Sequence, residues 1–166
     1  SVSDVLPQSK KRDLDIALEI DEAVLPVNVD KDKIRRVVTN LLGNAVKFSK
    51  QGSTIVVRAR SCELEDAAQP FDVFEPERNR ALEISVTDEG MGIAKDALER
   101  IFDSFYQVDN TSTREFGGTG LGLAIVRNFM RAHAGDVEVR SEVGVGTTFT
   151  IRLPYNQEEA GTVAGA

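Results

Sequence analysis

The chain has 166 residues, 41% hydrophobic and 28% charged, which is the composition of one soluble globular domain long enough to bury a real core. Its net charge of −7 argues against bulk nucleic-acid binding, so an anionic ligand would have to be held by locally placed cations or amides. No apolar run reaches a membrane span, and the opening SVSDVLPQSKKRDLDIALEI lacks a signal peptide's apolar core. The first residue is not methionine, so the sequence reads as a piece of a longer parent, whose own membrane segment is left open. The lone cysteine, Cys62, excludes an internal disulfide and fits a reducing, cytoplasmic compartment.

In chain order, residues 13–20 alternate as a strand does, and LPVNVD (25–30) predicts a short second strand. Residues 30–52 predict a long helix. Ile34, Val37, Val38, Leu41, Leu42, Ala45 and Val46 follow the helical rule, Asp30 or Asp32 can cap the start, and Gly52 can end it. Residues 54–60 and 82–88 predict the two strands of a hairpin, joined by a long acidic surface loop over 61–80 with no assigned role. A short helix is expected near 94–101, a polar connector through Arg114, and a second strong helix over 121–133. Residues 136–141 and 147–154 predict the last strands, with EVGVG as the turn between them. From Asn156 onward the residues are small and polar, as in a flexible tail. No internal repeat is visible.

Three constellations carry chemistry. At ~100° per residue, Asn40, Asn44 and Lys47 lie close together on the long helix, opposite its apolar stripe. An asparagine oxygen is a hard neutral donor for Mg²⁺, and lysine offers a point charge to phosphate. Alone, that stripe reads first as an ordinary solvated helix face. The second is TDEGMGI, ending at Ile93, where a strand stops. Asp88 can accept from an exocyclic amine, and Gly90 and Gly92 let a flat base approach the backbone; a plain tight turn would use the same residues. The third is GGTGLGLAIV, a glycine run opening a helix, where free N–H groups and the helix dipole favour phosphate. Neither common glycine template fits it. A dinucleotide fingerprint needs glycine at Leu123 or Ala124, and a phosphate loop needs lysine where Leu123 stands.

In this order and spacing the segments resemble the ATP-binding catalytic domain of bacterial sensor histidine kinases, the Bergerat fold of the GHKL superfamily. NLLGNAVKF looks like that family's N box, DEGMGI its G1 box, IFDSFYQVD its F box, GGTGLGLAIV its G2 box and SEVGVGTTFTIRLP its closing segment. The resemblance covers about residues 12–155. It implies a two-layer α/β sandwich, a mixed sheet of about five strands with three helices on one face. Residues 1–11 would be residual linker from an upstream helical domain, and 156–166 a flexible tail.

The resemblance also implies roles. Asn44 would give its oxygen to Mg²⁺, with Asn40 beside it and Lys47 on the phosphates of ATP. Phe48 would pack on adenine, Asp88 would accept from its amino group, and Gly90, Gly92 and Ile93 would shape the base site. Residues 103–118 would form a lid, with Arg114 reaching the terminal phosphate. The backbone of Gly118, Thr119, Gly120, Leu121, Gly122 and Leu123 would cradle the phosphates. Thr147 or Thr148 would support the adenine pocket through water. Asn40, Lys47 and Arg114 are the set expected to act on the reacting phosphate.

The acceptor histidine would lie in the parent's upstream dimerisation and phosphoacceptor domain, with a response-regulator receiver domain as an indirect partner. The parent would be a homodimer, with anchoring in the inner membrane left open, and this piece a monomer. His133, the only histidine, reads as structural or capping rather than as an acceptor. Phe102, Phe105 and Tyr106 read either as core or as lid anchors. The rival readings are an ATPase of the gyrase type and a degenerate nucleotide-binding module. Against the ATPase stands Asn40, four residues before Asn44, where those enzymes carry a water-activating glutamate.

Overall fold

The computed structural model describes residues 2–64, 80–107 and 119–155. The elements are α1 (Val2–Lys11), β1 (Asp15–Ile20), α2 (Lys31–Phe48), β2 (Thr54–Glu63), β3 (Arg80–Asp88), α3 (Lys95–Leu98), α4 (Gly122–Ala132), β4 (Asp136–Glu142) and β5 (Gly146–Pro154). The strands form one sheet in the order β1-β2-β3-β5-β4, with β1 parallel to β2 and the other neighbours antiparallel. This is the mixed five-stranded sheet of the expected sandwich.

Strand periodicity decides which side carries the core. On β5, Thr147, Phe149, Ile151 and Leu153 are buried, and register sets Val86 against Phe149 and Ile84 against Ile151. On that face lie Val37, Leu41, Leu42 and Val46 of α2, with Val126 and Met130 of α4. Truncating a fully buried leucine such as Leu41 to alanine costs about 2–5 kcal/mol. The opposite face is polar. Glu83 sits between Arg60 and Arg152, at 2.7 and 2.9 Å, and Arg152 reaches on to Glu138. The register places those arginines directly beside Glu83, so the charges neutralise across three strands.

Several expectations change. The strand expected at 25–30 has no ladder partner among the described residues; Val27 and Val29 pack against the core, so their alternation reflects burial without pairing. The helix expected over 94–101 is a single turn, α3, after which Ile101 and Phe102 enter the core. Within the expected linker, residues 2–11 form a helix, α1, which packs on α2 with Val5 and Ser9 buried. The helical layer is therefore α1, α2 and α4, with α3 a minor turn. β2 runs on to Glu63, into the expected loop, while residues 65–79 and 156–166 lie outside the described residues. Asp30 is the cap of α2, its Oδ1 accepting from Asp32 and Lys33 at 3.1 Å. The helix ends at Phe48, four residues before Gly52.

Candidate functional site

Between the last turn of α2, the end of β3 and the start of α4 lies a cavity of about 310 Å³. Asn44, Lys47 and Phe48 face it from α2, and Asp88, Gly92 and Ile93 from β3 and the turn beyond. Thr119, Gly120, Gly122 and Leu123 close it on the side of α4, with Thr147 and Phe149 of β5 at its floor. Of the residues expected at the site from sequence, Asn40, Gly90 and Leu121 do not line it, and Arg114 and Gly118 lie outside the described residues.

Asp88 is the chemical centre. Its side chain is 7% exposed, at the last position of β3, opposite Thr147. Burial pushes its carboxyl up from 3.8 to about 6, against the pull of backbone N–H bonds from Gly90 and Thr147. The Gly90 N–H donates to Oδ1 at 2.8 Å. A carboxylate has about four acceptor positions, so capacity remains for an N–H from a ligand in the cavity.

The turn after Asp88 is wedged between neighbours. A Cβ on Gly90 would lie 2.5 Å from the Phe48 carbonyl oxygen, and one on Gly92 (φ +70) 2.0 Å from that of Glu142. Close approach is indeed why glycine stands there, but at Gly90 the approaching partner is the protein's own backbone. Ser141, which no sequence motif marks, ties this turn to β5. Its Oγ accepts from the Ile93 N–H at 2.8 Å, donates to the Gly146 carbonyl and meets Thr147 Oγ1 at 2.8 Å. Of Thr147 and Thr148, strand parity turns Thr147 to the cavity, whereas Thr148 bonds Thr87 on the polar face.

Among the described residues the start of α4 has no side-chain cap, and its first turn holds no acidic residue. Its leading N–H groups lack intrahelical acceptors, and Gly122 and Leu123 stand at the cavity wall, an arrangement that suits an anion. Gly120 has a further reason for its identity. At φ +66 its carbonyl accepts from the Phe105 N–H at 2.9 Å, and a Cβ would lie 2.8 Å from the Phe105 carbonyl carbon. Asn40, expected beside the metal, donates from Nδ2 to the Gly122 carbonyl at 3.3 Å. It ties α2 to the head of α4.

Lys47 places Nζ 4.9 Å from the Phe48 ring centroid, and burial holds its ammonium below the usual lysine range. Phe102 is core, edge-on to Phe149 at 6.4 Å. Tyr106 lines the cavity under the Arg100 guanidinium, 4.4 Å from its centroid, while Phe105 is 74% exposed. Met91, Ile101, Gln107 and Phe149 complete the walls; Ile101 and Gln107 fall within the F-box segment, and no signal in the sequence sets the individual side chains apart. His133 is buried at the end of α4. Its Nε2 accepts from the Asp30 N–H at 3.1 Å, so the proton sits on Nδ1 and is donated to the Phe129 carbonyl at 2.7 Å. Both nitrogens are engaged in structure, as the capping reading requires.

Comparison with known proteins defines the class. Residues 29–157 match the family described as histidine kinase-, DNA gyrase B- and HSP90-like ATPase, and the chain belongs to that family. It is 37% identical over 158 residues to the sensor histidine kinase WalK of Bacillus subtilis, covering 95% of this chain and 24% of that protein. It is 40% identical over 151 residues to the autoinducer 2 sensor kinase/phosphatase LuxQ of Vibrio harveyi, covering 91% of this chain and 16% of that one. The chain thus spans a quarter or less of these relatives.

Among solved structures it resembles full-length ShkA in complex with AMPPNP, with a TM-score of 0.72 and 28% identity over 95% of this chain and 29% of that one. It resembles the mycobacterial sensor histidine kinase MprB with a TM-score of 0.68 and 26% identity, covering 92% and 91% of the two chains. The chain is an ATP-binding domain of the histidine-kinase branch of its family.

Proposed function

We propose that this domain binds Mg·ATP and presents the γ-phosphoryl group to a histidine on a helical dimerisation domain of its parent, in two-component signalling. The observation that carries the reading is a buried carboxylate, Asp88, sharing one cavity with an uncapped helix start at Gly122. The first suits an exocyclic amine and the second a phosphate, and an adenine nucleotide offers both. Phe48, Ile93 and Phe149 give the base apolar walls.

The donor set also fits the metal. Among the described residues no three His, Cys, Asp or Glu side chains converge as a cation site, so Mg²⁺ would arrive on the phosphates and take the Asn44 amide oxygen as a protein ligand. When bound, it neutralises phosphate charge. Lys47 adds a second positive charge at the same wall, and the proposed part for Arg114 is the terminal phosphate. Positioning and charge neutralisation are most of what phosphoryl transfer asks of a protein. Asn40 acts at one remove, by holding Gly122. Its amide cannot serve as a base for water, which favours transfer over hydrolysis.

The test is label transfer. Incubated alone with γ-labelled ATP, the domain is expected to take up no label, His133 included, and to release little phosphate. With the parent's helical domain added, acid-labile, alkali-stable phosphohistidine is expected on the partner. Rapid phosphate release by the domain alone would instead support an ATPase. Tight binding with no transfer would support a module that signals without chemistry.

A further inference from the structure

We propose that Arg12 is a positioning residue for the nucleotide site, holding the last turn of α2 so that Lys47 and Phe48 face the cavity. The inference rests on the adenine-nucleotide reading above. Arg12 stands just past α1, where the chain turns sharply through Asp13 (φ 55) and anchors on buried Leu14. The N–H groups of Arg12 and Leu14 both donate to the Ser9 carbonyl, at 3.1 and 3.0 Å, fixing the point from which the side chain departs.

The guanidinium then reaches across to the end of α2. Nη1 donates to the carbonyls of Val46, at 2.6 Å, and Lys47, and Nη2 donates to that of Ser49 at 3.0 Å. The last carbonyls of a helix lack intrahelical donors and carry the negative end of its dipole. Many helices answer this with a glycine just past the end. Here Ser49 is extended (φ −61, ψ 151), and a cation from another element takes the carbonyls instead.

The effect of that contact is local to the site. Lys47 and Phe48 line the cavity. Ser49 forms an isolated bridge with Gly90, whose N–H donates to Asp88. The backbone gripped by Arg12 is therefore the same backbone that supplies one wall and steadies the carboxylate. A second link joins the same two helices elsewhere. Arg35 donates to Asp4 at 2.9 Å, near the start of α2, and neither residue lines the cavity. That pair supplies the control.

The experiment measures Mg·ADP affinity by calorimetry for the parent chain and for Arg12→Ala, Arg12→Lys and Arg35→Ala. It also follows hydrogen exchange at the Ser49 and Gly90 amides without ligand. Arg12→Ala is expected to bind about tenfold more weakly, the scale of one lost charge-assisted hydrogen bond, and to exchange faster at both amides. Arg12→Lys, which keeps a donor, is expected to recover part of both. Arg35→Ala is expected to leave affinity and these two amides unchanged although it too loosens α1 from α2. Unchanged affinity in Arg12→Ala, or an equal loss in Arg35→Ala, overturns the proposal. If Arg12→Ala does not fold, Arg12→Lys against Arg35→Ala makes the same comparison. If the parent chain itself binds no Mg·ADP, the proposed function falls, and the exchange rates alone decide the inference.

Discussion

Replacing Asp88 by asparagine is expected to make the nucleotide-free domain more stable and the nucleotide complex weaker. Asp88 is 7% exposed, and burial lifts its carboxyl from 3.8 to about 6. A shift of about two units corresponds to about 3 kcal/mol, an upper bound on what the charge costs the empty domain at neutral pH. An asparagine oxygen can still accept the Gly90 N–H, but its NH₂ group cannot accept from Thr147 as the carboxylate does and must find a partner, so the net gain expected is at most about 1–2 kcal/mol.

The sign with pH comes from linkage. Because the folded carboxyl binds its proton more tightly than the unfolded one, its stability contribution is fully present below about pH 4 and lost as pH rises through about 6. The stability gap between Asp88→Asn and the parent should accordingly be widest above pH 6 and close towards pH 4. Binding runs the other way. Only the carboxylate is acceptor-only towards an amine, so parental ATP affinity should fall about tenfold at pH 5, a dependence absent from the variant. Denaturant titrations and calorimetry across that range measure both. A variant less stable than the parent at neutral pH, or one whose ATP affinity keeps the parental pH profile, would refute the assignment of Asp88 as the buried adenine acceptor.

Asn44→Ala should abolish the Mg²⁺-dependent part of ATP affinity and leave adenosine binding nearly unchanged; equal losses for both ligands in calorimetry would assign Asn44 to folding instead. Gly92→Ala and Gly120→Ala should each cost about 2–5 kcal/mol in the absence of nucleotide, because a positive φ and a backbone collision act together. Thermal melts of the empty domain check this, and an unchanged midpoint for either variant would show that these glycines answer only to the ligand.

Most of the fold is legible in the sequence because its elements obey simple periods. The stripe from Ile34 to Val46 marks α2, and the alternation of Thr147, Phe149, Ile151 and Leu153 marks β5. The failures share a cause. Val27 and Val29 alternate with polar or Pro neighbours because they pack on the core, and alternation records burial, not ladder bonds. α1 escapes detection because its interior proline, Pro7, and a buried serine, Ser9, obscure the helical stripe. Both features depend on contacts made across the chain, which no local window contains.

The candidate site is legible as a set of positions, because three short polar and glycine-rich motifs interrupt the apolar periods; eleven of the residues expected there line one cavity. Their mechanical supports are not legible. Asn40 bonds Gly122 across 82 positions of sequence, and Arg12 bonds Ser49 across 37. Both are donors at the end of a helix they do not belong to, and such a role imposes reach and charge but no motif. The glycines make the same point from the other side. Gly90, Gly92 and Gly120 can all be read as room for a ligand, yet the atom that would strike an added Cβ first is the protein's own, on Phe48, Glu142 and Phe105. A ligand-shaped cavity is thus held open by backbone packed too closely for a side chain, and each of those contacts can be broken by one methyl group before any nucleotide is added.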